Sequence, residues 1–348
     1  MNAYAIIMAG GNGERLWPLS TPQNPKQFVS LFGGKALIRH AADRLEGLIP
    51  PERIFVVTAK RLQAMTRKAL PHIPKENIVA EPCRRDTAAA VAVACGLVKR
   101  HGGDGAVGCV LTADHLMTPE AEFRKTLKDA IAAASSNDAI VTLGIRPDYP
   151  ATGFGYVECA AKISSRGKTE FHKVVRFVEK PDEKTAKRYL RTGRFLWNSG
   201  MFIWRAEVLE AAFASAAPDI APLISKVARS RGVNALLERE YGAIRAISFD
   251  YAVMEHIGSI LVGKCSFKWD DVGSWLSVAG HFPKDERGNV IIGSGVLYDV
   301  ADSIAVGCDG RVTALLGVKD VVVVDTGRAT LVCAKDRVQD IRKLLGKS

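Results

Sequence analysis

Between residues 4 and 145, short apolar runs alternate with stretches of helical periodicity, and this alternation limits the possible folds more than any other feature. The runs are YAIIM, RIFVVT, AVGCVLTAD and AIVTLG, and between them lie ALIRHAADRLEGL, AAAVAVACGLVKR and EAEFRKTLKDAIAAA. A strand buried on both faces reads as a continuous apolar run, and a helix covering it reads as an amphipathic repeat. Such alternation predicts an α/β domain with a Rossmann-like, mostly parallel (mixed) sheet flanked by helices. The clearest helix is the one in which Phe123, Leu127, Ala130, Ile131 and Ala134 recur at helical spacing, with Pro119 placed for its first turn.

From 150 to 282 the pattern is more mixed. FGYVEC, FHKVVRFVEK and MFIWR suggest strands, DEKTAKRYLRTG and EVLEAAFASA suggest helices, and the segment reads as an elaboration of the same domain. After HFPKDERGN the texture changes to short β-rich runs (VIIG, VLYDV, SIAVG, VTALLG, VVVVDT, TLVCAK) broken by Gly, Asp and Asn, and then to a helical RVQDIRKLL. This predicts a large domain over 1–284 and a small C-terminal β-rich domain over 285–348.

No run is long and apolar enough to span a bilayer, and the opening MNAYAIIMAGG lacks the basic region of a secretory signal. The seven cysteines are odd in number, scattered and without a C-x-x-C pair, which argues against a disulfide framework or a zinc site and for a reducing cytoplasm. The net charge of +11 admits nucleic acid or anionic small molecules as partners. Without a basic block or an aromatic-interleaved basic stripe, phosphorylated metabolites fit better and nucleic acid is not expected.

The run AGGNGERLWPLSTPQNPK follows the first predicted strand directly. It is not a dinucleotide fingerprint, because Leu16 stands where the third glycine belongs, and it is not a P-loop, because G-K-[ST] is missing. What remains is a glycine-rich turn whose backbone N–H groups can approach a polyphosphate, with Arg15 as a planar fork and Lys26 as a point charge. EPCRRDT and TADH also follow predicted strands, so all three would gather at the carboxyl edge of the sheet, where open α/β folds bind ligands.

With that loop, EPCRRDTAAA (81–90), LTADH (111–115), GFGYVE (153–158), FVEKPD (177–182), WNSGMFIWR (197–205), FDYAVME (249–255) and WDDVGSW (269–275) fall in one order along the chain. In this the sequence resembles the sugar-1-phosphate nucleotidyltransferases, and among them the mannose-1-phosphate guanylyltransferases. One departure is RDTAAA, where many relatives carry Asn and Pro. The small β-rich tail, β-helix-like in that family, is a familiar appendage; the isomerase-like extension of some relatives is not seen, so the resemblance implies transferase activity only.

The resemblance implies that GTP and mannose 1-phosphate are the substrates and Mg²⁺ the cofactor. Ala9, Gly10, Gly11 and Gly13 would cradle the nucleotide phosphates while Arg15 and Lys26 act in catalysis. Asp114 and Asp271 resemble the family's metal-binding aspartates, with Asp270 a lesser helper; hard carboxylates suit Mg²⁺, and His115, with no second His at a ligand spacing, reads as a structural or turn residue. Lys180 resembles the lysine that grips the sugar phosphate, Glu179 the carboxylate that accepts from sugar hydroxyls, and Gly153 and Asn198 further sugar contacts. Trp197 and Trp204 read as core. Glu81 would take the base, because a carboxylate can accept two parallel bonds from guanine's N1–H and exocyclic amine. Thr87 is either a nucleotide contact or a helix cap. A sugar phosphate is already largely dianionic at neutral pH, so no general base is required, in keeping with the lack of a Ser/His/Asp arrangement. The alternatives are the same chemistry with another hexose 1-phosphate or nucleotide, and a non-catalytic nucleotide-sugar sensor. The β-rich tail suggests a homodimer.

Overall fold

The apolar runs become strands and the helical repeats cover them. The computed structural model describes residues 2–11 and 13–346. Its strands are β1 (Ala3–Ala9), β2 (Ile54–Ala59), β3 (Ile78–Glu81), β4 (Val107–Thr112), β5 (Leu116–Thr118), β6 (Ile140–Ile145), β7 (Tyr156–Arg166), β8 (Thr169–Val178), β9 (Phe195–Arg205), β10 (Ile260–Lys264), β11 (Lys268–Asp270), β12 (Val290–Tyr298), β13 (Ile304–Leu316), β14 (Val321–Asp325) and β15 (Thr330–Ala334). The α-helices are α1 (Leu37–Asp43), α2 (Gln63–Ala69), α3 (Asp86–Gly102), α4 (Glu120–Ser136), α5 (Glu183–Thr192), α6 (Ala206–Ala216), α7 (Pro222–Arg229), α8 (Val233–Glu240), α9 (Trp275–Ala279) and α10 (Ile341–Leu344). Contacts divide the chain into a first unit of Met1–Gly10, Arg39–Ala113 and Met117–Trp269, and a second of Gly11–Ile38, Asp114–Leu116 and Asp270–Ser348.

The first unit holds a nine-stranded mixed sheet in the order β3-β2-β1-β4-β9-β6-β10-β8-β7. Strands β3, β2, β1 and β4 run parallel, as do β6 and β10. The antiparallel pairings all involve β7, β8 or β9, from the segment where the sequence pattern is mixed. The reason is local: only Gly167 and Lys168 separate β7 from β8, and so short a link can join only antiparallel neighbours.

Helix α3 shows why the sheet is closely covered. Every residue from Ala88 to Val98 is buried, and most are Ala or Val, so neighbouring helices can approach on more than one side. At Gly96 a β-carbon would run into Val227 and the Ile224 carbonyl of α7. Overpacking of this kind costs about 1–3 kcal/mol. On the sheet, Gly108 makes room for the fully buried Trp204 ring. Helix α4 buries Phe123, Leu127, Ala130, Ile131 and Ala134, the stripe its spacing predicts, while Pro119 stands at the N-cap, one position ahead of the first turn. Trp197 is buried like Trp204, as expected of core residues.

The second unit contains a four-stranded sheet in the order β12-β13-β14-β15, parallel except for its last pair. Six predicted short runs become four strands here. VIIG and VLYDV fuse into β12, and SIAVG and VTALLG into β13, through an irregularity at Gly293/Ser294. Gly293 has φ +82° and lies against the Gly307 carbonyl, so a glycine that reads as a strand end serves as a bulge. RVQDIRKLL is helical in two pieces, a 3-10 stretch Lys335–Asp340 followed by α10. The core of this unit joins Val290, Ile304, Val306 and Val322 to Val272 and Trp275, and also to Leu16 of the glycine-rich segment and Leu37 at the start of α1. No described helix is long and apolar enough to cross a membrane. None of the seven cysteines is joined in a disulfide.

Candidate active site

In the second unit the glycine-rich segment turns at Gly13, which has φ +60°, into a single 3-10 turn, Glu14–Leu16. Buried Leu16 anchors that turn in the core, and the Trp275 indole N–H donates to the Trp17 carbonyl at 3.1 Å. A β-carbon on Gly13 would overlap the Lys26 side chain, so this glycine is required both by its backbone conformation and by packing. Gly11 has open space where a side chain would go, and no such requirement. Arg15, on the 3-10 turn, donates to Gln339 Oε1 at 3.5 Å.

Lys26 is buried at 6% exposure, and its ammonium donates to Asp114 Oδ2 at 2.8 Å and to the Asp271 carbonyl. The sequence reading assigns Lys26 to phosphates; the structure places it between the two candidate metal aspartates. Burial works to raise the Asp114 pKa, but the Lys26 ammonium and His115, whose Nε2 is 3.6 Å from Asp114 Oδ1, outweigh it and hold the carboxyl below its ordinary range. Asp270 uses both oxygens internally, accepting from Val272 N–H (2.6 Å), Ser277 Oγ (2.5 Å) and His281 Nε2 (2.9 Å). Among the described residues the Asp271 carboxylate accepts only from Gly273 N–H, at 3.1 Å, and Val272 after it has φ +48°, an unfavourable conformation for a β-branched residue. Asp271 is thus the less encumbered carboxylate. Among the described residues no group of three or more His, Cys, Asp or Glu could hold a metal. Asp114 and Asp271 offer hard carboxylate oxygens, the donor type that Mg²⁺ accepts for part of a shell completed by water and phosphate.

The first unit carries two further groups. At the end of β3, Glu81 Oε1 accepts from the Tyr241 hydroxyl, and a β-carbon on Gly10 would lie 3.3 Å from Glu81 Oε2. Burial pushes the Glu81 carboxyl up, the Tyr241 bond partly offsets this, and Asp86 adds to it. Burial and the Glu81 charge raise Tyr241, so the phenol stays a neutral donor. Ala9, at the end of β1, is buried, and its carbonyl accepts from Thr58 Oγ1 at 3.1 Å. Thr87 is not a helix cap, because α3 begins at Asp86; its hydroxyl accepts from the Phe249 N–H at 2.8 Å.

Glu179 and Lys180 follow β8 as an ion pair of 2.7 Å. Lys180 adopts φ +43°, a conformation that a lysine seldom takes without a constraint. Burial would lower its pKa, but the Glu179 partnership prevails and raises it, keeping the ammonium charged. Asn198, in the middle of β9, is buried at 9% exposure. Its Oδ1 accepts from Thr142 Oγ1 (2.9 Å) and Gly200 N–H (3.3 Å), and its Nδ2 donates to Asp250 Oδ1 (3.1 Å). Burial and the Glu179 charge push the Asp250 carboxyl up to about 7, against its own backbone hydrogen bond and Lys180. Gly153 has open space around it, whereas a β-carbon on Gly155 would strike Glu179 Oε2, so the close approach in TGFGY belongs to Gly155. The sequence pattern does not single out Gly155, Tyr241 or Asp250 as site residues. Gly155 lies two residues after Gly153 and Asp250 lies within FDYAVME, while nothing local marks Tyr241.

The nucleotidyl transferase family profile matches residues 4–288, and that of the mannoseP isomerase/GMP-like beta-helix domain matches 293–347. Mannose-1-phosphate guanylyltransferase 2 of Escherichia coli O157:H7 is 35% identical over 351 residues, 98% of this chain and 72% of that protein. Mannose-1-phosphate guanylyltransferase RfbM of Salmonella typhimurium is 36% identical, over 99% of this chain and 72% of that protein. A crystal structure of mannose-1-phosphate geranyltransferase from Thermus thermophilus superposes with a TM-score of 0.90 at 32% identity, covering 99% of each chain. The fold agreement thus runs through both the mixed sheet and the β-rich tail, and the chain belongs to the nucleotidyl transferase family, in its mannose-1-phosphate guanylyltransferase branch.

Proposed function

We propose that this chain transfers the guanylyl group of GTP to mannose 1-phosphate, forming GDP-mannose and releasing pyrophosphate. The observation that carries this reading is its end-to-end likeness to proteins named for that reaction. The sugar phosphate oxygen attacks the α-phosphorus, the bond to the β-phosphate bridging oxygen breaks, and charge develops on pyrophosphate. Because the nucleophile is already anionic, the chain's work is to bind, orient and neutralise.

In this reading Glu81 accepts from the guanine edge, its carboxylate steadied by Tyr241. The backbone of Ala9, Gly10, Gly11 and Gly13 approaches the triphosphate, and Arg15 and Lys26 stabilise the departing pyrophosphate. Lys180 holds the phosphate of the sugar; Glu179, Asn198 and the backbone beside Gly153 and Gly155 meet its hydroxyls. Asp114 and Asp271 would hold Mg²⁺, which when bound neutralises phosphate oxygens and helps to fix their orientation. Thr87 serves this arrangement indirectly, by tethering Phe249.

Pyrophosphate release over a matrix of the four nucleoside triphosphates and several hexose 1-phosphates, with and without Mg²⁺, tests the proposal. GTP with mannose 1-phosphate should give the highest kcat/KM, and only with the metal. Release that favours another pair would reassign the substrates, and no release in any well would overturn the enzymatic reading. A cytoplasmic place of action fits seven cysteines that form no disulfide. Exposed apolar side chains on β12 and β13, Val296, Tyr298, Val312 and Leu316, support a homodimer, which sedimentation equilibrium would reveal as twice the chain mass.

A further inference from the structure

The segment FDYAVME forms a π-helical turn, Asp250–Met254, a rare conformation that recurs at functional positions. It is fastened at both ends. Ahead of it, Phe249 N–H donates to Thr87 Oγ1 at 2.8 Å, and the Phe249 ring packs on Phe202 and Phe213 with centroids 5.0 and 5.7 Å away. Behind it, Glu255 Oε1 accepts from the Glu179 N–H at 3.2 Å. So mounted, Asp250 receives the Asn198 side-chain N–H at 3.1 Å.

That bond decides what Asn198 can offer a ligand. An amide can present either its oxygen or its nitrogen, and the two differ by a 180° flip. Here Oδ1 already accepts from Thr142 Oγ1 and the Gly200 N–H, and one Nδ2 proton goes to Asp250. A flip would set an NH₂ group against the Gly200 donor and an oxygen against the Asp250 carboxylate, losing both of those bonds; the Thr142 hydroxyl alone would tolerate it, since it can accept from the NH₂ and give its proton to the Met201 carbonyl at 3.0 Å. The capacity left to Asn198 is one N–H donor. Beside it, Glu179 supplies only acceptors when ionised.

Building on the functional reading above, we infer that Asp250 is a positioning residue for the hexose: it fixes Asn198 as a donor complementary to the Glu179 acceptor, and so sets which hydroxyl configuration the site prefers. Asp250 need not touch the sugar. Its effect should appear in sugar binding and discrimination, with GTP binding unaltered.

The test is steady-state kinetics of full-length wild type, Asp250→Ala and Asp250→Asn with mannose 1-phosphate and glucose 1-phosphate. Losing the anchor should raise the KM for mannose 1-phosphate by about tenfold and narrow the preference over glucose 1-phosphate by a similar factor, with the KM for GTP unchanged within about twofold. Asp250→Asn retains an oxygen that can accept from Asn198 and should stay within about threefold of wild type in both respects. An unchanged sugar KM in Asp250→Ala, or equal increases for both substrates, would overturn the inference. If Asp250→Ala fails to fold by circular dichroism, Asp250→Asn decides alone: a lost sugar preference there overturns it, and retention supports it. Wild-type turnover separates the two levels, since a wild type without GDP-mannose synthesis sinks the functional reading and this inference together, whereas an active wild type with an indifferent Asp250→Ala sinks only the inference.

Discussion

Replacing Lys26 by Met keeps the unbranched stem, one atom shorter, and removes the charge, so Asp114 loses its principal counter-ion. In the ion pair the Lys26 side chain is 8% exposed and that of Asp114 29%, so neither is well solvated. Breaking a buried pair by removing one partner costs about 3–5 kcal/mol, and the partial exposure of Asp114 places the expected loss at the low end, about 3 kcal/mol. Asp114→Asn, which leaves the ammonium behind, should cost a comparable amount. The double variant Lys26→Met/Asp114→Asn removes both charges and should recover about 2 kcal/mol relative to the sum of the single losses.

The pH dependence follows from the sign of the Asp114 shift. Its folded pKa lies below the ordinary value, because the Lys26 and His115 charges outweigh burial. The contribution of the pair is therefore full above the unfolded carboxylate pKa and is lost as pH falls through the folded one, below roughly pH 4. In Lys26→Met burial faces much less opposition, so the folded pKa rises above the unfolded value and the penalty eases on acidification. Calorimetric unfolding of the four proteins from neutral pH downward should show the wild-type advantage largest near neutrality and shrinking with acid. Additive losses within about 0.5 kcal/mol, or an advantage that grows on acidification, would refute this account of the pair. Turnover of Lys26→Met should fall by about a hundredfold if the lysine also stabilises the leaving group.

Gly155→Ala places a methyl group on Glu179 Oε2 and should raise the KM for the sugar phosphate severalfold, whereas Gly153→Ala, in open space, should change it less than about twofold; parallel kinetics of the two variants checks the contrast. Glu81→Gln keeps one acceptor but exchanges the other for a donor facing guanine's own donors, so the preference for GTP over UTP should drop by tenfold or more, and a preserved ratio would remove Glu81 from base recognition. Gly13→Ala combines a left-handed backbone with an overlap on Lys26 and should lower the melting temperature and the activity together, while Gly11→Ala, in open space, should leave the melting temperature near wild type.

Periodicity carries the legible part of the fold. Strands β1, β2, β4 and β6 and helices α3 and α4 stand where the apolar runs and helical repeats place them, because each run answers to its own burial. The antiparallel strands are harder to read, since whether β9 lies between β4 and β6 depends on pairing and not on its own composition. Asn198 illustrates the difference. Locally, WNSG resembles a turn before MFIWR, yet it is the buried middle of an eleven-residue strand, with Asn198 polar because Thr142 and Asp250 receive it there. Glu81 and Tyr241 are 160 residues apart, and Lys26 and Asp114 are 88. Residue type nominates three of these four; only the folded chain pairs them.

The pairings also alter what the two lysines mean. Read from sequence, Lys26 and Lys180 are point charges waiting for phosphate, yet each ammonium lies against a carboxylate, Asp114 at 2.8 Å and Glu179 at 2.7 Å. A carboxylate so placed would compete with phosphate if the lysine had one bond to give, but an ammonium has three N–H donors. Lys180, its side chain 57% exposed, can retain Glu179 and still donate to a phosphate oxygen. Lys26 is more committed, with Asp114 and the Asp271 carbonyl already taking two donors, so it has one left. The carboxylates thus act first as orienters, holding flexible four-carbon stems in a single direction, and the cost in side-chain entropy is met on folding, before phosphate binds. On this argument a Lys→Arg exchange should fail more severely at position 26 than at 180. A guanidinium at 26 would have to fit its wider fork into a buried gap built for an ammonium, and activity retained in Lys26→Arg but lost in Lys180→Arg would contradict it.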